Sequence, residues 1–337
     1  MRAVIVTSVK NEAAFLLEWL AHHRTTGFAH FVIFSNDCSD GTDLMLDRLA
    51  AMGWLTHIRN PGPHPSGPQW AALKAADKHP EVTRADWLLV ADVDEFVNIH
   101  TGQRRLPDLL AALPQADAIT LTWRLFGNAG VVEYTDQPVT RTFTKAAPAT
   151  LGWPWRAQMF KTLFRNDGSF GKLGVHRPRT ADTARAGRWF DGSGRDISAD
   201  LPAGRLFSDY RRDNYGLVQL NHYALGSMES YLVKADRGRA NRDADRFDLG
   251  YWVERNLNEV TDTSVLSLDS ADVLASLLAD PGLGALHRAA ADWRRARFSH
   301  LMQTEDWRSL LGRLLMAPPS QSLTPDLATI LHRHRPE

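Results

Sequence analysis

Apolar and polar positions in the first hundred residues follow a repeating rhythm of strand, polar turn and helix. Residues 3–6, Ala-Val-Ile-Val, form a continuous apolar run of the kind buried on both faces of a sheet, and a polar turn at 7–12 follows it. Phe15, Leu16, Trp19, Leu20 and His23 then recur at helical spacing, which predicts a helix with Asn11 as N-cap, Glu12 in the first turn and Gly27 at its end. The pattern next predicts a strand at 30–35, a turn at 36–42, and a helix through Leu44, Met45, Leu46, Leu49 and Met52 closed by Gly53. A third strand at 55–58, a loop rich in Pro and Gly at 60–68 and a helix at 69–78 come before the fourth strand, 87–91. That strand runs into three carboxylates, Asp92, Asp94 and Glu95.

Crossovers of this size imply an α/β fold, a mainly parallel sheet covered by helices. The turns after the first, second and fourth strands would then line one edge of the sheet, where open α/β sheets bind their ligands. Beyond Phe96 the rhythm loosens. Strands are expected at 118–123, 139–144, 161–165 and 217–220, helices at 106–113 and 228–234, and mostly helix over 271–334. Residues 177–214 are polar and poorly periodic, and read as loops over the crevice. The expected organisation is one domain over 1–265, with a nucleotide-binding half at 1–100 and an acceptor-side half at 101–265, and a helical C-terminal extension at 266–337.

Charge narrows the partners. With 39 Lys plus Arg against 39 Asp plus Glu, the chain has no bulk attraction for nucleic acid or an anionic membrane, so binding has to come from a local site. Cys38 is the single cysteine, which excludes an intrachain disulfide and fits a reducing compartment. No signal peptide or membrane-length apolar run is visible, and the expected location is cytoplasmic. Peripheral membrane contact stays open, since Trp293, Arg294, Arg295 and Arg297 in the tail suit either a membrane-facing or an ordinary amphipathic helix.

The acidic strand end carries the first chemistry. If the backbone stays extended, Asp92 and Asp94 fall on one face, and two like charges that close call for a cation, with oxygen ligands favouring Mg²⁺ or Mn²⁺. The alternative is an acidic strand end that opens a solvated loop. No Gly-x-Gly-x-x-Gly or Walker A lysine pattern is present, which argues against a dinucleotide oxidoreductase or a P-loop NTPase.

Several segments resemble a known family in order. Lys10-Asn11-Glu12, then Glu18-Trp19-Leu20 and His23, then the 36–42 turn look like the start of glycosyltransferase family 2 and family 92 proteins, and Asp92-Val93-Asp94 is similar to their Asp-x-Asp motif. Trp123 with Phe126 and Gly127, the 161–165 strand, Val175-His176, and Asn221-His222-Tyr223 before Lys234, Arg237 and Gly238 look like the family 92 pattern. The resemblance spans roughly residues 1–240. It implies a GT-A fold, a nucleotide-sugar donor such as a UDP-sugar, a glycan or lipid-linked acceptor, and Mn²⁺ or Mg²⁺. Such an ion would stabilise the departing diphosphate as a Lewis acid.

On that basis the metal ligands are Asp94 and His222, with Asp92 as ligand or ribose contact, Glu95 behind them, and His176 as the alternative third ligand. Nucleotide contacts are expected from Thr7, Val9, Asn11 and Glu12 at the first strand end and from Asn36 and Asp37 at the second, though capping and turn formation also explain Asn11, Asn36 and Asp37. Lys74, Lys234, Arg237 and Arg239 are candidates to neutralise phosphates. An inverting transfer needs a carboxylate base; Asp136 and Asp191, with Glu133 and Asp209 behind them, are the candidates, none in a recognised motif. Trp123, Trp153 and Trp155 suit either sugar stacking or core packing. Other functions with a place for the acidic end are a nucleotidyltransferase, a phosphohydrolase with Asp92 as nucleophile, and a carbohydrate-binding protein without turnover.

Overall fold

The computed structural model describes residues 1–179, 187–199, 206–238 and 248–333. Its first half is the expected alternation: β1 (Ala3–Val9), α1 (Ala13–Thr26), β2 (His30–Ser35), α2 (Thr42–Ala51), β3 (Thr56–Arg59), α3 (Pro68–Ala76), the short α4 (Pro80–Thr83) and β4 (Trp87–Val90). Then come β5 (Glu95–Ile99), α5 (Leu106–Ala112), β6 (Ala118–Leu125), α6 (Val139–Thr142), β7 (Lys145–Ala146), β8 (Phe160–Arg165), β9 (Trp189–Phe190) and β10 (Val218–His222). The C-terminal part holds α7 (Met228–Asp236), α8 (Leu249–Val253), β11 (Val260–Thr261), α9 (Ala271–Ala279), α10 (Pro281–Leu301), α11 (Glu305–Met316) and α12 (Pro325–His332).

The main sheet has the order β3-β2-β1-β4-β8-β6-β10-β5, with β9 beside β6. Strands β3, β2, β1 and β4 are mutually parallel, which sets the carboxyl ends of β1, β2 and β4 along one edge. Strand β8 runs antiparallel between β4 and β6, and β10 is parallel to β6 but antiparallel to β5. The fold class is therefore the expected one, a mixed α/β sheet flanked by helices.

Two local expectations fail. Where a strand is expected at 139–144, Val139–Thr142 form the short helix α6, because the Glu18 carboxylate accepts from Val139 N at 2.7 Å and Thr140 N at 3.1 Å and so caps its first turn. Asn11 is not the N-cap of α1; it sits at φ 53°, and its Oδ1 accepts from Ser39 N at 2.8 Å. The open N–H groups of that helix are met from the second turn instead, Glu12 N donating to Thr42 Oγ1 at 2.8 Å and Ala13 N to Asp40 Oδ2 at 3.0 Å. One loop thus caps the helix that follows the other, which fixes two strand ends against each other.

Much of the sheet and the tail share one core. Leu277, Leu283 and Ala290 of the C-terminal helices are buried in the same cluster as Ile5, Leu16, Trp19 and Phe31. Helices α9 and α10 therefore pack on the first half of the chain, while α11 packs on α7 and α8. Among the described residues no helix is long and apolar enough to cross a membrane.

Candidate active site

The site begins where β4 ends. The chain does not stay extended through Asp92 and Asp94: it turns, with Glu95 N donating to Asp92 O at 3.1 Å. The cause is Glu95, which is fully buried and braces the turn from inside. Its Oε2 accepts from Asp92 N at 2.9 Å and its Oε1 from Trp123 Nε1 at 2.7 Å. Burial pushes its carboxyl up, to about 8, against the pull of the neighbouring Lys161 ammonium. Glu95 also opens β5, a strand that the apolar pattern did not reveal, and pairs there with His222 of β10. That register delivers a histidine 127 positions downstream of Glu95 to the acidic turn, and Tyr223 N donates to Asp94 O at 2.8 Å to lock the two segments together.

At Asp94 three titratable groups meet. Its Oδ2 accepts from Lys234 Nζ at 2.7 Å and lies 3.7 Å from His222 Nε2. Burial opposes the charge on Asp94, but Lys234 and His222 together outweigh it and hold the carboxyl well below the usual carboxylate range. The same pairing acts on the ammonium: burial alone would lower Lys234, and Asp94 turns the shift upward. His222 moves the other way, burial pulling it below its ordinary value despite Asp94. Its ring lies 4.3 Å from that of Trp123, so the tryptophan that holds Glu95 also positions the histidine.

Sequence reasoning missed Lys161. This fully buried ammonium sits on β8, where Leu121 and Lys161 are paired, and it lies 3.0 Å from Asp92 Oδ2 and 3.6 Å from Glu95 Oε2. Burial would discharge it; Asp92 and Glu95 reverse that and raise its pKa. A signal existed, a lone lysine in the otherwise buried strand Phe-Lys-Thr-Leu-Phe-Arg, since an unpaired charge is not tolerated inside a sheet. Each member of the Asp-x-Asp pair therefore has its own lysine.

These groups open onto a cleft of about 1920 Å³, counted with its mouth. Of the expected site residues, Asp92, Asp94, His176, His222, Lys234 and Arg237 line it, and so do Val9, Glu12 and Trp123. Arg237 Nη1 donates to Glu12 Oε1; burial raises the Glu12 pKa and Arg237 only partly offsets it. His176 is held through Nδ1 at 3.1 Å from Phe160 O, and burial, with the Lys161 charge, pushes it down to about 4.

Other expected contacts stay out of the cleft lining. Thr7 is buried within β1, and Asn36 turns inward, its Nδ2 donating to Ser8 Oγ at 2.7 Å and to Val9 O at 3.0 Å. Asn36 thereby shapes the backbone of two residues that do line the cleft. Asn11 binds Ser39 as described, Asp37 Oδ2 accepts from Gly62 N at 3.2 Å, and Lys74 is exposed on α3. The proposed bases sit elsewhere too. Asp136 pairs with His287 Nε2 at 2.9 Å, and that contact lowers its pKa. Asp191 closes a turn, accepting from Ser193 N at 3.0 Å and Arg195 N at 2.9 Å, and Asp209 accepts from Arg211 N at 3.0 Å. Trp153 and Trp155 pack edge to face, centroids 4.6 Å apart, and neither lines the cleft, although the adjacent Arg156 does. Arg239 lies outside the described residues.

The donor set bears on the expected metal. Among the described residues no group of three His, Cys, Asp or Glu side chains converges on one point. Asp94 and His222 supply two donors 3.7 Å apart, which fits an ion that takes its remaining ligands from water and substrate phosphates, as Mg²⁺ commonly does. Lys234, 2.7 Å from the same carboxylate oxygen, shares that charge.

A cleft at the carboxyl ends of parallel strands, lined by the carboxylates Glu12, Asp92 and Asp94 and by the cations Lys10, Arg156, Lys234, Arg237 and Arg255, defines an α/β protein suited to an anionic ligand. The chain belongs to glycosyltransferase family 92, whose family model matches residues 5–185, more than half of its length. It is also 25% identical over 146 residues to a glycosyltransferase family 92 protein of Oryza sativa subsp. japonica, a match covering 42% of this chain and 24% of that protein. The chain thus matches about a quarter of the length of that curated relative. Among solved structures it is similar to S. aureus TarS 1-349 in complex with UDP, at 17% identity and TM-score 0.32, covering 50% of this chain and 48% of that one. The galactosyltransferase LgtC, solved with donor and acceptor sugar analogues, is 11% identical with TM-score 0.31, covering 66% of this chain and 87% of that one.

Proposed function

We propose that this protein is an inverting glycosyltransferase of the GT-A type that moves a hexose from a UDP-sugar to a hydroxyl of a glycan or lipid-linked acceptor. The observation that carries the proposal is the Asp94 cluster, one carboxylate held by Lys234 and His222 at the floor of the cleft. Family membership supports the reaction class.

The chemistry of sugar transfer asks for positive charge where the diphosphate leaves. Lys234 and Arg237, both on the wall of the cleft, are placed to bind phosphate oxygens and to neutralise that charge. Asp94 and His222 would hold Mn²⁺ or Mg²⁺, which supplies Lewis-acid stabilisation of the diphosphate when bound. Asp92, its side chain 39% exposed and steadied by Lys161, is the cleft carboxylate most open to a ribose hydroxyl. Val9 at the end of β1 forms the adjoining wall for the nucleoside. Thermal-shift screening of nucleotide sugars with and without Mn²⁺ tests the proposal, because a ligand of the native state raises its stability by mass action. A UDP-sugar is expected to give the largest shift and to be turned over; no shift with any nucleotide would refute the transferase reading.

A further inference from the structure

Behind the acidic wall lies a second cavity. It shares Glu12, Val93, Asp94, Lys234 and Arg237 with the cleft, but its remaining lining, Glu133 and Gln137 included, is its own. Its walls are otherwise apolar, built from Phe15 of α1, Val139 and Phe143 around α6, and Tyr223 and Leu225 after β10. One cation enters it that none of the chemistry above uses: Arg294 of α10.

Arg294 is only 5% exposed, and among the described residues no carboxylate comes within ion-pair distance of it. Its guanidinium donates to Ser230 O at 3.3 Å, stands 4.5 Å from the Phe15 ring centroid and 5.3 Å from that of Tyr134, and keeps a buried Nε without a partner. Burial pulls its pKa down to about 10. A planar fork of donors that is buried, charged and unsatisfied is complementary to an oxyanion. The chamber measures about 690 Å³ counted with its mouth, room for a small acid head and a ring behind it.

We propose that this chamber is a binding site for a small carboxylate on an apolar body, with Arg294 as its anchor. The charge of the walls selects the head group. Glu12, Asp94 and Glu133 line the same chamber, and its other cations, Arg237 and Lys234, are already paired with Glu12 and Asp94; with Arg294 the remaining cation, a singly charged carboxylate meets less repulsion than a dianionic phosphate. The apolar rings and aliphatic side chains take the body of the ligand. Arg237 and Lys234 belong to the shared wall, so an occupant here sits next to the residues assigned to the donor diphosphate.

Isothermal titration with benzoate, benzamide and inorganic phosphate tests the site on the full chain. Benzoate is expected to bind, benzamide and phosphate to bind more weakly. Arg294→Met is expected to weaken benzoate by about ten- to a hundredfold, as for loss of a charged hydrogen bond, while its thermal midpoint holds or rises because an unpaired buried charge has been removed. Should that variant not fold, Val139→Phe narrows the chamber without touching Arg294 and is expected to lose benzoate as well. Equal benzoate affinity in wild type and variant, tighter binding of phosphate, or no benzoate binding would each overturn the proposal. UDP titrated into the same proteins keeps the two sites apart: its binding is expected to survive Arg294→Met, and a failure of UDP to bind anywhere counts against the transferase proposal alone.

Discussion

Lys234 Nζ lies 2.7 Å from Asp94 Oδ2, and the same ammonium donates to Ala224 O at 2.7 Å, so it ties α7 to the turn after β4. A diphosphate entering the cleft finds this charge already oriented. Replacing it, as in Lys234→Met, is expected to weaken UDP by about ten- to a hundredfold, the usual effect of losing a charge-assisted hydrogen bond. Calorimetric titration of UDP measures this, and an unchanged affinity would remove Lys234 from the donor site.

Asp94→Asn separates the metal from the lysines. The amide keeps the size of the side chain but loses the charge that holds Lys234 and that is proposed to hold a divalent ion. Its Mn²⁺-dependent thermal shift should disappear, with a turnover loss of at least the roughly 10- to 100-fold that outer partners of a metal site give. His222→Ala is expected to reduce the Mn²⁺ shift as well, since two protein donors leave little redundancy. A variant that still responds to Mn²⁺ like the wild type would show that the ion binds elsewhere.

Local pattern made β1, β2, β4 and the helices between them legible, because buried parallel strands are short apolar runs and their crossovers are amphipathic. It also set Asp92 and Asp94 at a strand end. What pattern could not show is long-range pairing. Strand β5 begins on Glu95, a residue that reads as polar, and is recognisable only beside β10; Lys161 acquires its role only once β8 lies between β4 and β6. Helix α6 looks like a strand until Glu18, 121 residues from Val139, caps it. His222 was named from motif resemblance, and its contact with Asp94 then follows from the β5–β10 register.

Lys161 compensates two carboxylates inside the sheet, so removing its charge should cost more than removing a surface ion pair. Lys161→Met leaves the half-exposed Asp92 without its ammonium and lets the buried Glu95 stay protonated, so the cost is expected below the about 3–5 kcal/mol of a fully buried pair, on the order of 2 kcal/mol. Adding Glu95→Gln should recover part of that loss only at alkaline pH, because at neutral pH the Glu95 carboxyl, pushed up by burial, can stay protonated and carries no stranded charge. Urea unfolding of the single and double variants gives the coupling. A cost below about 1 kcal/mol for Lys161→Met would mean that water reaches the pair and that the lysine acts as a surface residue.

His22 supplies a pH dependence remote from the cleft. Its Nε2 donates to Val97 O at 2.7 Å from a fully enclosed position on α1, so the neutral ring is the one that fits. Burial lowers its pKa to about 4, while in the unfolded chain it titrates near about 6.5. Between those values the unfolded state binds the extra proton, so stability rises with pH across the window: the contribution is complete above about 6.5 and drains away as pH falls toward about 4. The slope from this group is about 1.4 kcal/mol per pH unit inside the window. His23 is lowered as well, chiefly by burial and further by His22, and adds its own slope in the same direction. Urea midpoints taken across this range are expected to fall with acid, and His22→Gln to flatten the dependence by one proton while retaining a donor for Val97 O. An identical slope in the variant would place the acid sensitivity on other groups.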